Sequence, residues 1–369
     1  MIKGVQLDRP VFFCPNRVWR CYTGGALIDG FVGKARVRDG QFPEDWLAST
    51  TVAHNGPHQQ SPQEGLSRVR MADGSAGPLL KDLIRDAPRE CLGAGGRPAA
   101  GVGVLCKLLD SAVRLPIQCH PDKRFARKHY HSEHGKAESW FVLGVRKIKG
   151  EHPYLLMGFK PGVNARVFRK AVETQDVAAM TDMLHRHEVK PGDCYFIPGR
   201  FPHAIGPGVF LLEVQEPTDW VVQPERRIGR TRLTDVDMWG PLSSDVGLKC
   251  FDYSASGTAA TARRATALGA QLLRRTGGSL LEEVVGSNVT DCFRVERLTV
   301  HGDMTYEPAS PYHIAVVTAG RGEVRTGTGN ADAVRQGDTM FVPNGVRSLR
   351  YSSGDGKLCV YAITRGRSR

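Results

Sequence analysis

The sequence predicts a mainly β protein in which one barrel-like unit is used twice, with a small helical portion. Three observations carry this reading. From Val104 to Gln215, and again from Phe293 to Thr364, the chain breaks into short apolar runs split by turn residues, the pattern of a sandwich or barrel. The run Gly192-Asp-Cys-Tyr-Phe-Ile-Pro198 recurs 145 residues later as Gly337-Asp-Thr-Met-Phe-Val-Pro343. In each copy a Gly-Asp turn feeds a strand that ends at proline, and a further strand follows, Phe210 to Gln215 or Lys357 to Ile363. Between the copies, 241–278 loses the strand pattern and is rich in Ala, Ser, Thr and Arg. The expected division is therefore 1–240 with a helical insertion, a connector over 241–278, and a second unit over 279–369.

In chain order, residues 10–50 alternate short apolar runs with turns and read as strands and loops. Residues 54–75, polar and rich in Gly, Gln, His and Pro, read as an exposed loop. Leu79 to Asp86 places apolar residues at helical spacing and predicts one short helix. Gly93 to Gly103 is a glycine-rich lead-in without the strand and helix context of a nucleotide loop. Asp176 to Leu184 predicts the helical insertion, and Ala265 to Arg275 a helical part of the connector.

Charge and cysteine content narrow the function classes. The net charge of +12 comes from arginines spread along the chain, with local clusters at Arg226, Arg227, Arg230, Arg232 and at Arg263-Arg264. No nucleic-acid motif accompanies them, so no nucleic-acid partner is expected, and attraction of a small anionic substrate accounts for the charge as well. The nine cysteines are odd in number, scattered and without a C-x-x-C pair, which argues for free thiols in a reducing cytoplasm. The N-terminus lacks the regions of a signal peptide, and no apolar run nears the roughly 18–20 residues of a membrane helix. A soluble cytoplasmic protein is expected.

The chemistry sits in Leu115-Pro-Ile-Gln118-Cys-His120-Pro-Asp and Gly135-Lys136-Ala-Glu138-Ser-Trp-Phe-Val-Leu143. Gln118 and His120 are two apart, as are Lys136 and Glu138, and the spans Val113–Cys119 and Ser139–Val145 read as strands. Residues two apart on a strand share a face. If these strands are neighbours in one barrel, an amide oxygen, an imidazole, a carboxylate and an ammonium face one interior. Three of the four are ligands for a divalent metal. His203, in a turn after Pro198, offers a fourth ligand. At the repeat offset His203 falls on Ser348, so the second unit is expected to hold no metal. Glu213 interrupts an apolar strand, where an unpaired carboxylate is costly, and so joins the candidates. His54, His58, His129, His131, His134, His152, His185 and His187 sit in polar context and read as ordinary.

The G-(x)5-P pattern followed by a turn histidine resembles the second motif of the cupin superfamily. Its usual glycine two residues after the proline is kept at Gly345 but is Arg200 in the first copy. Gln118-Cys-His120-Pro-Asp, Gly135-Lys136-Ala-Glu138, Phe196 to Gly206, Glu213-Val-Gln215, Trp19 and Glu44-Asp45-Trp46 together resemble the class I phosphomannose isomerases, from about residue 10 to the C-terminus. The resemblance implies a pair of cupin barrels with a helical portion (a bicupin). It also implies zinc-dependent interconversion of mannose 6-phosphate and fructose 6-phosphate through an enediol. The implied zinc ligands, one ion per chain, are Gln118, His120, Glu138 and His203, with Lys136 and Glu213 lining the pocket as catalytic acid or base. Two positions depart from the pattern. Pro116 stands where a serine is usual, and Gln223 where an arginine is usual. Arg226 or Arg227 is the candidate replacement for substrate binding, and the sugar or sugar phosphate taken is expected to have drifted. Two alternatives stay open at this point. One is a metal cupin with other chemistry, such as an isomerase or epimerase of another sugar, or an oxygenase if the metal is iron. The other is a non-catalytic sugar-binding bicupin.

Overall fold

The computed structural model describes residues 3–229, 231–255, 257–258, 266–354 and 356–366. The fold is mainly β and is organised around two large antiparallel sheets, each with a smaller companion. The first large sheet contains β2 (Arg17–Val18), β3 (Glu44–Leu47), β6 (Leu105–Asp110), β7 (Glu138–Val145), β10 (Cys194–Ile197) and β12 (Val209–Gln215), in the order β10-β7-β12-β6-β3-β2. Its companion is β8 (Tyr154–Phe159), β9 (Leu184–Glu188) and β11 (His203–Ile205), ordered β11-β8-β9. The second large sheet contains β1 (Val11–Phe12), β15 (Gln271–Thr276), β16 (Ser279–Val285), β17 (Phe293–Val300), β19 (His313–Ala319), β22 (Thr339–Val342) and β24 (Leu358–Arg365), ordered β1-β22-β19-β24-β17-β16-β15. Its companion is β18 (Asp303–Tyr306), β20 (Arg321–Thr326), β21 (Ala331–Arg335) and β23 (Leu349–Ser353), ordered β18-β23-β20-β21. Two short hairpins complete the strands, β4 (Arg68–Arg70) with β5 (Ala76–Leu79) and β13 (Arg227–Ile228) with β14 (Thr231–Arg232).

The sequence repeat is a repeat of topology. The series β10-β7-β12-β6 and β11-β8-β9 in the first half has its counterpart in β22-β19-β24-β17 and β23-β20-β21 in the second. The repeated Gly-Asp turn is built the same way twice. Gly192 and Gly337 have φ of 93° and 94°, a backbone region open mainly to glycine. Asp193 and Asp338 each accept the amide N–H three residues back, from Lys190 and Arg335. One face of the first large sheet is apolar, with Phe141 packing against Tyr361 of the second, ring centroids 5.1 Å apart. The opposite face carries the polar residues described below.

Several elements differ from the sequence reading. Val113–Cys119 is not a ladder strand: Gln118 and Cys119 make single bridges, to His203 and Val222. The 54–75 stretch is partly buried, because Glu64 accepts the Trp19 amide at 2.9 Å and Val69 enters the core. A helix missed in the 10–50 region spans Ala26–Phe31. The predicted helix after Leu79 spans Leu80–Asp86. The helical insertion is a pair, Ala165–Thr174 and Val177–Asp182, capped by Asn164 and Asp176. Where a helix was predicted over Ala265–Arg275, Gln271–Thr276 is an exposed edge strand on β16. Arg230, Arg263 and Arg264 lie outside the described residues. Among the described residues no helix is long and apolar enough to cross a membrane.

The second half shows what the duplicated position costs when nothing polar meets it. Glu138 pairs with Ile197, and His313 pairs with Val342, the residue matching Ile197 in the repeat, so His313 takes the place of Glu138. Its ring is fully buried, neither ring nitrogen has a hydrogen-bond partner, and burial pushes its pKa down to about 3. The unfolded chain, with a histidine near 6.5, then takes up this proton first. The stability tied to His313 is complete above that value and is lost as pH falls toward about 3. Going from pH 6.5 to pH 5 should cost about 2 kcal/mol through this ring. Denaturant unfolding at neutral pH and near pH 5, at equal metal load, should show a smaller acid loss for His313→Leu than for the parent. Equal losses in both proteins would contradict this origin.

Candidate metal and sugar site

The site forms where the two motifs are pressed together. Gly135 makes the approach possible, since a Cβ there would stand 2.5 Å from the Pro121 carbonyl oxygen. The Lys136 amide donates to that same carbonyl at 2.9 Å. Gln118 and His203 exchange backbone hydrogen bonds of 2.8 and 2.9 Å, which fixes the extended run beside His203, a residue read as part of a turn that in fact opens β11. The run is anchored from behind by buried Glu225, which takes both guanidinium nitrogens of Arg114 at 2.7 Å and the Ile117 amide at 2.6 Å. Arg200, at the position of the usual glycine, keeps a left-handed φ of 69°, and its guanidinium donates to the Cys250 and Lys249 carbonyls.

His120, Glu138 and His203 converge, with ligand atoms all within 4.8 Å of one another. Each imidazole donates its Nδ1–H to a carbonyl, His120 to Trp220 at 2.9 Å and His203 to Phe201 at 2.8 Å. These bonds leave both Nε2 atoms as acceptors. His120 Nε2 lies 3.1 Å from Glu138 Oε1, and His203 Nε2 lies 3.9 Å from Oε2. Neither Nε2 has a hydrogen-bond partner. Burial opposes the charge on Glu138, but His120 and the Lys136 ammonium at 3.4 Å outweigh it and hold the carboxyl well below its ordinary range. Burial pushes both histidines down, His203 to about 3, and so favours neutral rings with Nε2 lone pairs. The three buried groups could together hold a metal ion. Two imidazoles and one carboxylate fit a divalent metal.

Gln118, Lys136, Glu138 and Glu213 face a cavity of about 610 Å³. Pro116 and Gln223 line it too, and the Gln223 Nε2 is already donated to the Asp237 carbonyl at 2.9 Å. Arg226 and Arg227 do not line it, and Arg226 pairs with Asp235 at 2.7 Å. Of the histidines read as ordinary, His54 does line it and stacks on Trp220 at 5.0 Å.

Several site residues escaped the sequence reading, namely Arg20, Tyr22, Glu44, Lys107 and Asp219. Register explains their meeting. On the first large sheet Glu213 lies directly beside Trp140 on one side and Lys107 on the other, and Lys107 lies beside Trp46. Glu44, two before Trp46, shares their face. Lys107 Nζ is 3.3 Å from Glu213 and 3.6 Å from Glu44. Arg20 continues the series, 3.0 Å from Glu44 and 3.1 Å from Asp219. Tyr22 and Trp46 donate to the two Glu44 oxygens at 2.5 and 2.7 Å. Burial disfavours the Lys107 charge, yet Glu213 and Glu44 outweigh it and raise its pKa. Glu213 goes the other way: burial, then Glu138, pushes its carboxyl well above the ordinary value, so it can carry a proton. A charged residue inside the apolar run Leu105 to Leu109 was the available signal for Lys107, the same that marked Glu213.

No family model matches the chain. The probable mannose-6-phosphate isomerase GmuF of Bacillus subtilis is 30% identical over 214 residues, 58% of this chain and 60% of that protein. The mannose-6-phosphate isomerase of Streptococcus mutans is 28% identical over 267 residues, 70% of this chain and 73% of that protein. The aligned stretch thus falls short of two thirds of the first relative's length. The crystal structure of the mannose 6-phosphate isomerase from Bacillus subtilis superposes with a TM-score of 0.72 over 96% of this chain and 99% of that one, at 19% identity. The fold is shared along nearly the whole chain, and the sequence relationship covers more than half of it. The chain is similar in sequence to curated mannose-6-phosphate isomerases and shares the fold of a solved one.

Proposed function

We propose that this chain is a zinc-dependent aldose–ketose isomerase of the mannose-6-phosphate isomerase type, working in the cytoplasm on one zinc per chain. The observation that carries the reading is the convergence of buried His120, Glu138 and His203, with their ligand atoms all within 4.8 Å of one another. Gln118, His120, Glu138 and His203 are the proposed ligands, at the end of a cavity large enough for a hexose. We take the two pairs of sheets as two cupin-type barrels, a reading supported by the duplicated strand order and Gly-Asp turn. The free cysteines fit a reducing compartment.

The reaction needs no external oxidant. The proton on C2 is removed and delivered to C1, while a hydroxyl proton passes from O2 to O1, so that C1 is reduced and C2 oxidised. A bound divalent cation supplies Lewis-acid stabilisation of the oxyanion that develops on the way to the enediol. The chain's own groups handle the protons. Glu213, biased toward its protonated form, is placed to give and retake a proton, and Lys107 at 3.3 Å steadies the carboxylate between those events. Lys136 supplies an ammonium at the metal-side wall, where it offsets charge on a sugar oxygen.

Elemental analysis should find about one divalent metal per chain, lost in the His120→Ala/His203→Ala double variant. Full occupancy in that variant would overturn the ligand assignment. Glu213→Gln and Lys136→Met should each lower kcat by about 10²–10⁴-fold with the metal retained. Activity of both within a few-fold of the parent would remove them from the proton path.

A further inference from the structure

We infer that Glu44 is a positioning residue of this site, the fixed counter-charge of the Lys107 ammonium, and that it acts on Glu213 through Lys107. The inference rests on the isomerase reading above. Lys107 Nζ lies between two carboxylates, 3.3 Å from Glu213 and 3.6 Å from Glu44. Lys107 and Glu44 are each 3% exposed and Glu213 is 2% exposed. A buried ammonium keeps its charge only while an anion stands beside it. In the proposed reaction Glu213 carries a proton for part of each cycle, and during that part it is no anion. Glu44 is then the carboxylate left to hold Lys107 charged and in place until Glu213 has given its proton up again.

The surroundings of Glu44 suit a permanent anion. The Tyr22 hydroxyl donates to its Oε1 at 2.5 Å, the Trp46 Nε1–H donates to Oε2 at 2.7 Å, and Arg20 Nε lies 3.0 Å from Oε2. Asp219 and Asn55 hold Arg20 in turn, at 3.1 and 2.8 Å. Burial opposes the charge on Glu44, but Arg20, Lys107 and the two hydrogen bonds outweigh it and keep the carboxyl well below its ordinary range. Among the described residues Glu213 has one ion-pair partner, Lys107. Of the two carboxylates beside Lys107, Glu44 is therefore the fixed one. The fold itself does not require this row of charges. In the second half, the matching register places Glu296 where Lys107 stands, Ala362 where Glu213 stands and Leu281 where Glu44 stands. All three members change together while the strand order is kept, as befits groups held for chemistry and not for strand pairing.

The test is a double-variant cycle on the metal-loaded enzyme with mannose 6-phosphate. Glu44→Gln should lower kcat by about tenfold to a hundredfold with KM within a few-fold of the parent, and Lys107→Met should lower kcat at least as much. In the Lys107→Met background Glu44→Gln should lower kcat no further, because the group it acts through is gone. Tyr22→Phe removes a neutral donor from the same carboxylate but keeps its charge, and should cost less than about threefold. Three outcomes overturn the inference and leave the isomerase reading standing: a Glu44→Gln kcat within about twofold of the parent, a double variant whose loss is the product of the two single losses, or a Tyr22→Phe loss as large as that of Glu44→Gln. Lys107→Met as active as the parent overturns the role given to Lys107 and this inference with it. No turnover by the fully metal-loaded parent overturns the isomerase reading itself. Neutron diffraction of parent crystals supplies a readout that needs no folded variant. Lys107 Nζ should carry a full ammonium and Glu44 no deuteron, and a deuteron on Glu44 overturns the inference.

Discussion

A buried carboxylate converging with two buried imidazoles is the constraint around which the first half of this protein is arranged. Glu138, His120 and His203 come from three different parts of the chain, and each brings an acceptor to the same point. Without a cation or a proton the arrangement sets lone pair against lone pair among buried side chains. The chain spends much of its local structure on enforcing it. Carbonyls of Trp220 and Phe201 fix the ring tautomers, Gly135 admits the close approach of the two motifs, and the Arg114–Glu225 pair braces the run that carries Gln118 and His120. Such bracing is characteristic of metal centres, where the partners of a ligand set its orientation and basicity.

The same constraint gives meaning to the duplication. Both halves keep the Gly-Asp turn and the same strand order, so the backbone is reproduced without the chemistry. In the first half the position beside the repeated strand holds Glu138, and the sheet face around it carries the alternating charges of Lys107, Glu213, Glu44 and Arg20. In the second half that position holds His313, against the edge of Tyr306, with a partnerless ring. Alternating charge makes a buried polar interior tolerable only when each member finds an opposite, and the first half achieves this through register across neighbouring strands.

How much was legible in the sequence follows from the range over which each feature is specified. The repeat, the mainly β character and the convergent His120, Glu138 and His203 were readable because each is written in a few adjacent residues. Lys107, Glu44 and Arg20 were not, because their partners stand far away in sequence and meet only through the pairing of β3, β6 and β12. Val113–Cys119 looked like a strand because its side chains are those of one, yet its neighbours offer only isolated bridges. The strand Gln271–Thr276 was hidden for the opposite reason. It is an edge strand exposed on both faces, so its sequence carries no alternation to betray it.

The central claim is that a metal joins the two imidazoles to the carboxylate, and crystallography at a metal absorption edge addresses it directly. Crystals of protein purified without added chelator should give one strong anomalous peak per chain, within coordination distance of His120 Nε2, His203 Nε2 and Glu138. The Gln118 side chain should reach the same peak. An empty site with His120 and Glu138 joined by an ordinary proton, in protein that turns over its sugar, would contradict the account.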